Sequence, residues 1–118
     1  MSAVTIYHNP NCSTSKNVLA MAQGTGVELD VVQYLKTPPT RERLEWLVAH
    51  LDGDVADLVR KDPYFKQLKL DPADYTTPDA VVDVLVEHPR LMQRPLLVKG
   101  DRVVIGRPKE RAAELFGP

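Results

Sequence analysis

Val4-Thr5-Ile6-Tyr7-His8-Asn9-Pro10-Asn11-Cys12-Ser13-Thr14-Ser15-Lys16-Asn17-Val18-Leu19-Ala20-Met21-Ala22 is the stretch whose reading decides the fold. Its first four residues are β-branched and aromatic, which reads as a strand. His8-Asn9-Pro10-Asn11 is turn chemistry. From Ser13 the period changes: Val18, Leu19, Met21 and Ala22 form an apolar stripe at helical spacing, with Gln23-Gly24 as the expected stop. Val27 to Leu35 is β-rich again, through Val27, Leu29, Val31, Val32 and Tyr34. Strand, helix and strand in that order make a β-α-β unit, normally parallel and right-handed.

Beyond this unit Thr37-Pro38-Pro39 breaks the chain. Thr40 is placed to cap a helix with the stripe Leu44, Leu47, Val48 and Leu51. Asp54 can cap a short helix through Leu58 and Val59 that ends near Asp62-Pro63. Residues 64–75 read as a loop with helical turns. Thr77-Pro78 opens a helix to about His88, just before Pro89. Pro95 to Val98 and Arg102 to Ile105 flank Gly100-Asp101, a hairpin signal. A last helix, Lys109 to Phe116, follows Gly106-Arg107-Pro108. The order is β-α-β, then all-helical, then β-β-α. It predicts an α/β fold: a four-stranded mixed sheet with helices packed on it and a helical insertion at about residues 38–88.

The chain has 118 residues, enough for one domain (1–118), and its 43% apolar and 26% charged content is an ordinary globular balance. A net charge of −1 argues against a binder that neutralises nucleic-acid phosphates. No apolar run is long enough to span a bilayer. Residues 1–4 lack a basic n-region and a long apolar h-region, so no secretory leader is expected and the cytoplasm is the default. His8, His50 and His88 are scattered without ligand spacing, and the single cysteine excludes a multi-cysteine metal site or an internal disulfide. No metal is expected.

Cys12 is the strongest candidate for chemistry. A free cysteine is usually a small buried core residue. Here it lies among polar residues, between a strand end and a helix start. A helix N-terminus offers free N–H groups and a partial positive charge, which lower a thiol's pKa. Cys12-Ser13-Thr14-Ser15 is a C-x-x-S pattern, so Ser15 stands where a resolving cysteine would close a disulfide. An intermediate on Cys12 must then be resolved by an external thiol. Lys16, one turn on, either shares the face of Cys12 or is simply solvated. His8 either stabilises the thiolate or only ends the strand.

Arg60, Arg94 and Arg107 each sit at an element boundary. Guanidinium forks match oxyanions bidentately, so the three can serve one anion site or remain separate surface charges. A cysteine phosphatase would carry arginine six residues after its nucleophile, where this chain has Val18. A Cys-His hydrolase needs a positioned base, and His50 and His88 have no supporting motif.

Taken together, Tyr7-His8-Asn9-Pro10-x-Cys12-x-Thr14-Ser15-Lys16-Asn17, Tyr34-Leu35 with Pro38-Pro39, Leu58-Val59-Arg60-Lys61, His88-Pro89, Arg94-Pro95 and Gly106-Arg107-Pro108 resemble the glutaredoxin-linked arsenate reductase (ArsC-type) family. The resemblance runs from about residue 4 to residue 116. It implies a thioredoxin-like core, Cys12 as nucleophile, and Arg60, Arg94 and Arg107 as oxyanion ligands. It also implies His8 and Ser15 as neighbours of the thiolate, and a cis bond before Pro95. Ser13 departs from the glycine of the best-studied members and Lys16 from the arginine that many carry; without the longer C-terminal tail of some members, the chain looks closer to a shorter branch. The implied activity is reduction of arsenate or a similar oxyanion, with no bound cofactor. The implied reductant is an external thiol, glutathione or mycothiol, with a glutaredoxin-like partner. The alternatives are a monothiol oxidoreductase acting on glutathionylated or mixed-disulfide proteins and an Spx-like redox regulator. Ser15 counts against the second of these.

Overall fold

A computed structural model describes residues 3–116. In chain order its elements are β1 (Val4–His8), α1 (Ser13–Thr25), β2 (Leu29–Gln33), α2 (Arg41–Ala49), α3 (Pro63–Gln67), α4 (Pro78–Glu87), β3 (Leu96–Lys99), β4 (Arg102–Ile105) and α5 (Lys109–Ala113). Short 3-10 turns cover Val55–Leu58, Pro72–Asp74 and Pro89–Leu91. The chain divides into two compact units. A sheet unit runs to Thr37 and resumes at Arg94, and a helical unit is Pro38–Gln93.

In the sheet unit the strand order is β2-β1-β3-β4. β1 runs parallel to β2 and antiparallel to β3, and β3 pairs antiparallel with β4. The mixed sheet expected from the sequence is therefore present. Its register puts Ile6 opposite Leu97, and Leu97 opposite Val104. Alternate strand residues point to opposite faces, so Val4, Ile6, Leu97 and Val104 present one apolar face. They form a core with Val18 and Ala22 of α1, Ala112 of α5, and Leu115 and Phe116. The stripe that marked α1 as helical is thus its packing face; Leu19 and Met21 line the margin of this core.

Several boundaries move, each for a local reason. α1 passes through Gly24 and stops at Gly26, whose φ of 75° lets its N–H return to Gln23 O at 3.2 Å. A left-handed C-cap favours glycine, and Gly26 is the glycine at that position. β2 is shorter than the β-rich stretch. The N–H groups of Lys36 and Thr37 both turn back to Gln33 O at 3.0 Å, so Tyr34 to Lys36 leave the sheet. β3 begins at Leu96 because Pro95 has no N–H to give a ladder. The hairpin turn uses Gly100 at a φ of 62°.

In the helical unit, side-chain caps start each helix. Thr40 accepts from Arg43 N–H, Asp54 from Ala56 N–H and Thr77 from Ala80 N–H. Asp62-Pro63 does not end the preceding element. That turn closes at Leu58, and Asp62 instead caps α3 by accepting from Phe65 N–H, with Pro63 in the first turn. α2 packs on α4. Their buried residues include Leu44, Leu47, Val48, Val81, Val82 and Leu85. The unit extends to Gln93 because its last residues pair back onto the segment after Asp54. Val59 and Met92 form an antiparallel bridge, and Gln93 N–H reaches Leu58 O at 2.8 Å.

Candidate active site

β1 delivers His8 at its C-terminal end, and a four-residue turn carries the chain into α1. Cys12 occupies the N-cap of α1, with extended backbone at φ −107° and ψ 121°. Its N–H returns to Asn9 O at 3.1 Å, and its O accepts Lys16 N–H at 3.0 Å. These bonds hold the residue at the mouth of the helix, half-buried. The side chain closes no regular cap bond. The sulfur is therefore left for other donors.

Arg107 is one of them. Its Nη2 donates to Cys12 Sγ at 3.1 Å, while its Nε donates to Arg94 O at 2.8 Å. Two bonds from one planar guanidinium fix the fork's orientation. Arg94 contributes its side chain to the sulfur as well as its carbonyl to Arg107. The peptide bonds before Pro95 and Pro108 are both cis. The first was implied by the family resemblance; the second was not anticipated.

Burial pushes the Cys12 thiol up, but the sum of the other influences carries it down. The Ser15 N–H, the Arg94 side chain and the charges of Arg107 and Arg94 all favour the anion. The net effect is a thiol held below its ordinary range, which increases the nucleophilic thiolate.

His8 takes a different part. It is buried, and its pKa lies below the ordinary histidine value, first through burial and then through the positive charge of Lys16. It is thus biased toward the neutral form and supplies little charge to the thiolate. Its Nδ1 lies 2.6 Å from Ser15 Oγ, which also accepts Asn9 N–H at 3.1 Å. Ser15 is completely buried. The contact ties the strand end to the first turn of α1. Lys16 is exposed, and its influence falls on His8.

Pro95 is buried and packs on Gly106, whose N–H donates to Pro95 O at 2.9 Å. A Cβ at Gly106 would stand 2.9 Å from Pro95 Cγ. The structure therefore brings together Cys12, Arg94, Arg107, His8, Ser15 and Pro95 in the sheet unit. Arg60 belongs to the helical unit. It follows Val59 in extended backbone, donates its N–H to Leu91 O at 2.8 Å, and lies 3.3 Å from Asp62 through Nε. Asn9, which the sequence showed only as part of a turn, is a buried polar residue of the same loop. Its signal was an asparagine before proline, too common in turns to single out. Among the described residues no three His, Cys, Asp or Glu side chains cluster to hold a metal, and no helix is long and apolar enough to cross a membrane.

A cysteine at a helix mouth and a cis-proline leading into the strand paired with β1, on a four-stranded mixed sheet, define a thioredoxin-like protein. The chain belongs to the ArsC family, whose model matches residues 7–115. It is 41% identical to an arsenate reductase of Escherichia coli K12 over 98% of this chain and 82% of that protein. It is also 38% identical to the uncharacterized Escherichia coli protein YfgD, over 97% of each chain. The solved structure of an arsenate reductase from Vibrio cholerae superposes with a TM-score of 0.83 at 36% identity, covering 96% of this chain and 97% of that one.

Proposed function

We propose that this protein reduces arsenate to arsenite with Cys12 as nucleophile and an external thiol as reductant. The observation that carries the reading is the 3.1 Å contact from Arg107 Nη2 to Cys12 Sγ, at a helix N-cap. The same guanidinium donors that favour the thiolate can offset the charge of an arriving oxyanion, so one anion can attack another. The relatives named arsenate reductase support the choice of oxyanion.

In the proposed reaction the thiolate attacks arsenic(V), an S–As bond forms, and an arsenic oxygen leaves as water once protonated. An external thiol then joins at arsenic in the same way or attacks the Cys12 sulfur. Formation of a disulfide between the two sulfurs passes two electrons to arsenic, which is released as arsenite. A second thiol attacks this mixed disulfide and restores Cys12. The sum is one arsenate and two thiols giving arsenite, one disulfide and water. Ser15 leaves the chain without an internal resolving thiol, which supports an external one; glutathione with a glutaredoxin, or mycothiol with its equivalent, fits that role. A reducing compartment such as the cytoplasm keeps Cys12 competent. Arg94 and Arg107 act as oxyanion ligands. The family resemblance also gives Arg60, through the motif Leu58-Val59-Arg60-Lys61, as an oxyanion ligand, and Lys16 supports the site through His8.

The test is arsenite release from arsenate by purified protein with each thiol system, beside Cys12→Ser and Arg94→Ala. Turnover lost in Cys12→Ser, with weaker arsenate saturation in Arg94→Ala, is the expected result. Arsenate reduction retained by Cys12→Ser sinks the reading. Turnover of a glutathionylated protein but not of arsenate would move the site to monothiol exchange.

A further inference from the structure

We propose that Asn9 is a positioning residue that sets the thiolate character of Cys12. The inference rests on Cys12 being the reactive group of the proposed function. Asn9 is a polar residue that is only 6% exposed, and it makes three bonds within the loop it opens. Its N–H donates to Ser15 Oγ at 3.1 Å, its O accepts Cys12 N–H at 3.1 Å, and its Oδ1 accepts Asn11 N–H at 2.9 Å. The residues before and after Cys12 are therefore both indexed to one side chain and its backbone. Asn11 fixes the approach to the cysteine. Ser15 fixes the turn whose N–H acts on the sulfur.

The side chain is the part of this arrangement that substitution removes. Without Oδ1 the Asn11 N–H, on an exposed residue, trades its partner for water, so the bond that closes the turn is lost and the turn loosens. Opening shifts Cys12 Sγ relative to two groups fixed elsewhere. The Ser15 N–H is held by α1, and the Arg107 guanidinium is held through its Nε by the Arg94 carbonyl. Both interactions favour the anion and both depend on distance. A serine at position 9 offers a shorter acceptor for the same i+2 N–H and restores part of the turn.

The experiment is the rate of Cys12 alkylation by iodoacetamide from pH 5 to pH 10. The chain has one cysteine, so the reaction reports one thiol. Below the thiol's titration, Asn9→Ala is expected to react about three- to tenfold more slowly than the parent, Asn9→Ser at an intermediate rate, and Asn11→Ala at the parent rate. Above the titration all four rates converge. A profile for Asn9→Ala that overlays the parent overturns the proposal, as does equal slowing at every pH, which would mean altered access. If Asn9→Ala does not fold, Asn9→Ser alone decides: a parent-like profile refutes positioning. Alkylation needs no arsenate, so failure of the proposed reduction leaves this result separately readable.

Discussion

Replacing Gly106 by alanine couples packing to the reactive sulfur. Gly106 carries no positive φ, so alanine is allowed by its backbone and would reduce the freedom of the unfolded chain. That alone would stabilise by about 0.4–1 kcal/mol. The added Cβ, however, would stand 2.9 Å from Pro95 Cγ, 3.0 Å from Leu97 Cδ1 and 3.5 Å from Ala112 Cβ. The first two contacts are too short to persist, and a proline ring cannot rotate away. Leu97 is fully buried in the sheet core. Overpacking of this kind costs about 1–3 kcal/mol. The net expectation is a loss of about 1–2 kcal/mol, or a Tm lower by roughly 3–10 °C for a chain of this length. Displacing Pro95 also moves the Arg94 carbonyl that orients Arg107. Activity should therefore fall more than the folded fraction does. Urea unfolding followed by arsenate turnover at a temperature where the variant is fully folded measures both. Gly106→Ala that is as stable as the parent would refute the packing argument. A destabilised variant with parent kinetics would refute the link to the site.

Arg107→Ala should lower the thiolate fraction of Cys12 about tenfold below its titration, read as thiolate absorbance at 240 nm against pH, because it removes both a donor and a charge from the sulfur. An unchanged titration would contradict the assigned role. Stability should also depend on pH. His8 has a lowered folded pKa, so the unfolded chain binds more protons just below the ordinary histidine value of 6.5, and stability should fall as pH drops through that region. Cys12 is lowered from an ordinary thiol value of 9.0, so stability should rise with pH from its folded titration up to that value. Unfolding midpoints across this range check both signs. Cys12→Ser should lose the alkaline rise, and His8→Asn should flatten the acid fall.

The order of elements was legible because each announces itself over a few residues. Val4 to Tyr7, the Val18–Ala22 stripe and the Gly100 hairpin all carry periodicity or turn chemistry that acts locally. Cys12 was legible too, as a thiol among polar neighbours at a helix start. Boundaries were less so. The choice between Gly24 and Gly26 as the stop of α1, or Asp62 as an end or a cap, depends on which backbone bonds close. Arg94 and Arg107 read as boundary charges that could share one anion site or stay separate, and only the family resemblance implied a shared one. Their convergence arises because β3 and β4 pair, which places the residue before Pro95 beside the residue after Gly106. Those residues lie far from Cys12 along the chain, and only pairing of β1 with β3 brings that hairpin beside the strand leading to the cysteine. The neutral bias of His8 likewise comes from burial, which no local pattern encodes. Sequence determined the candidate nucleophile and the succession of strands and helices, since these rest on short-range propensity and capping. Tertiary structure alone decided which charges face the sulfur, because that depends on strand register and desolvation between residues distant in the chain.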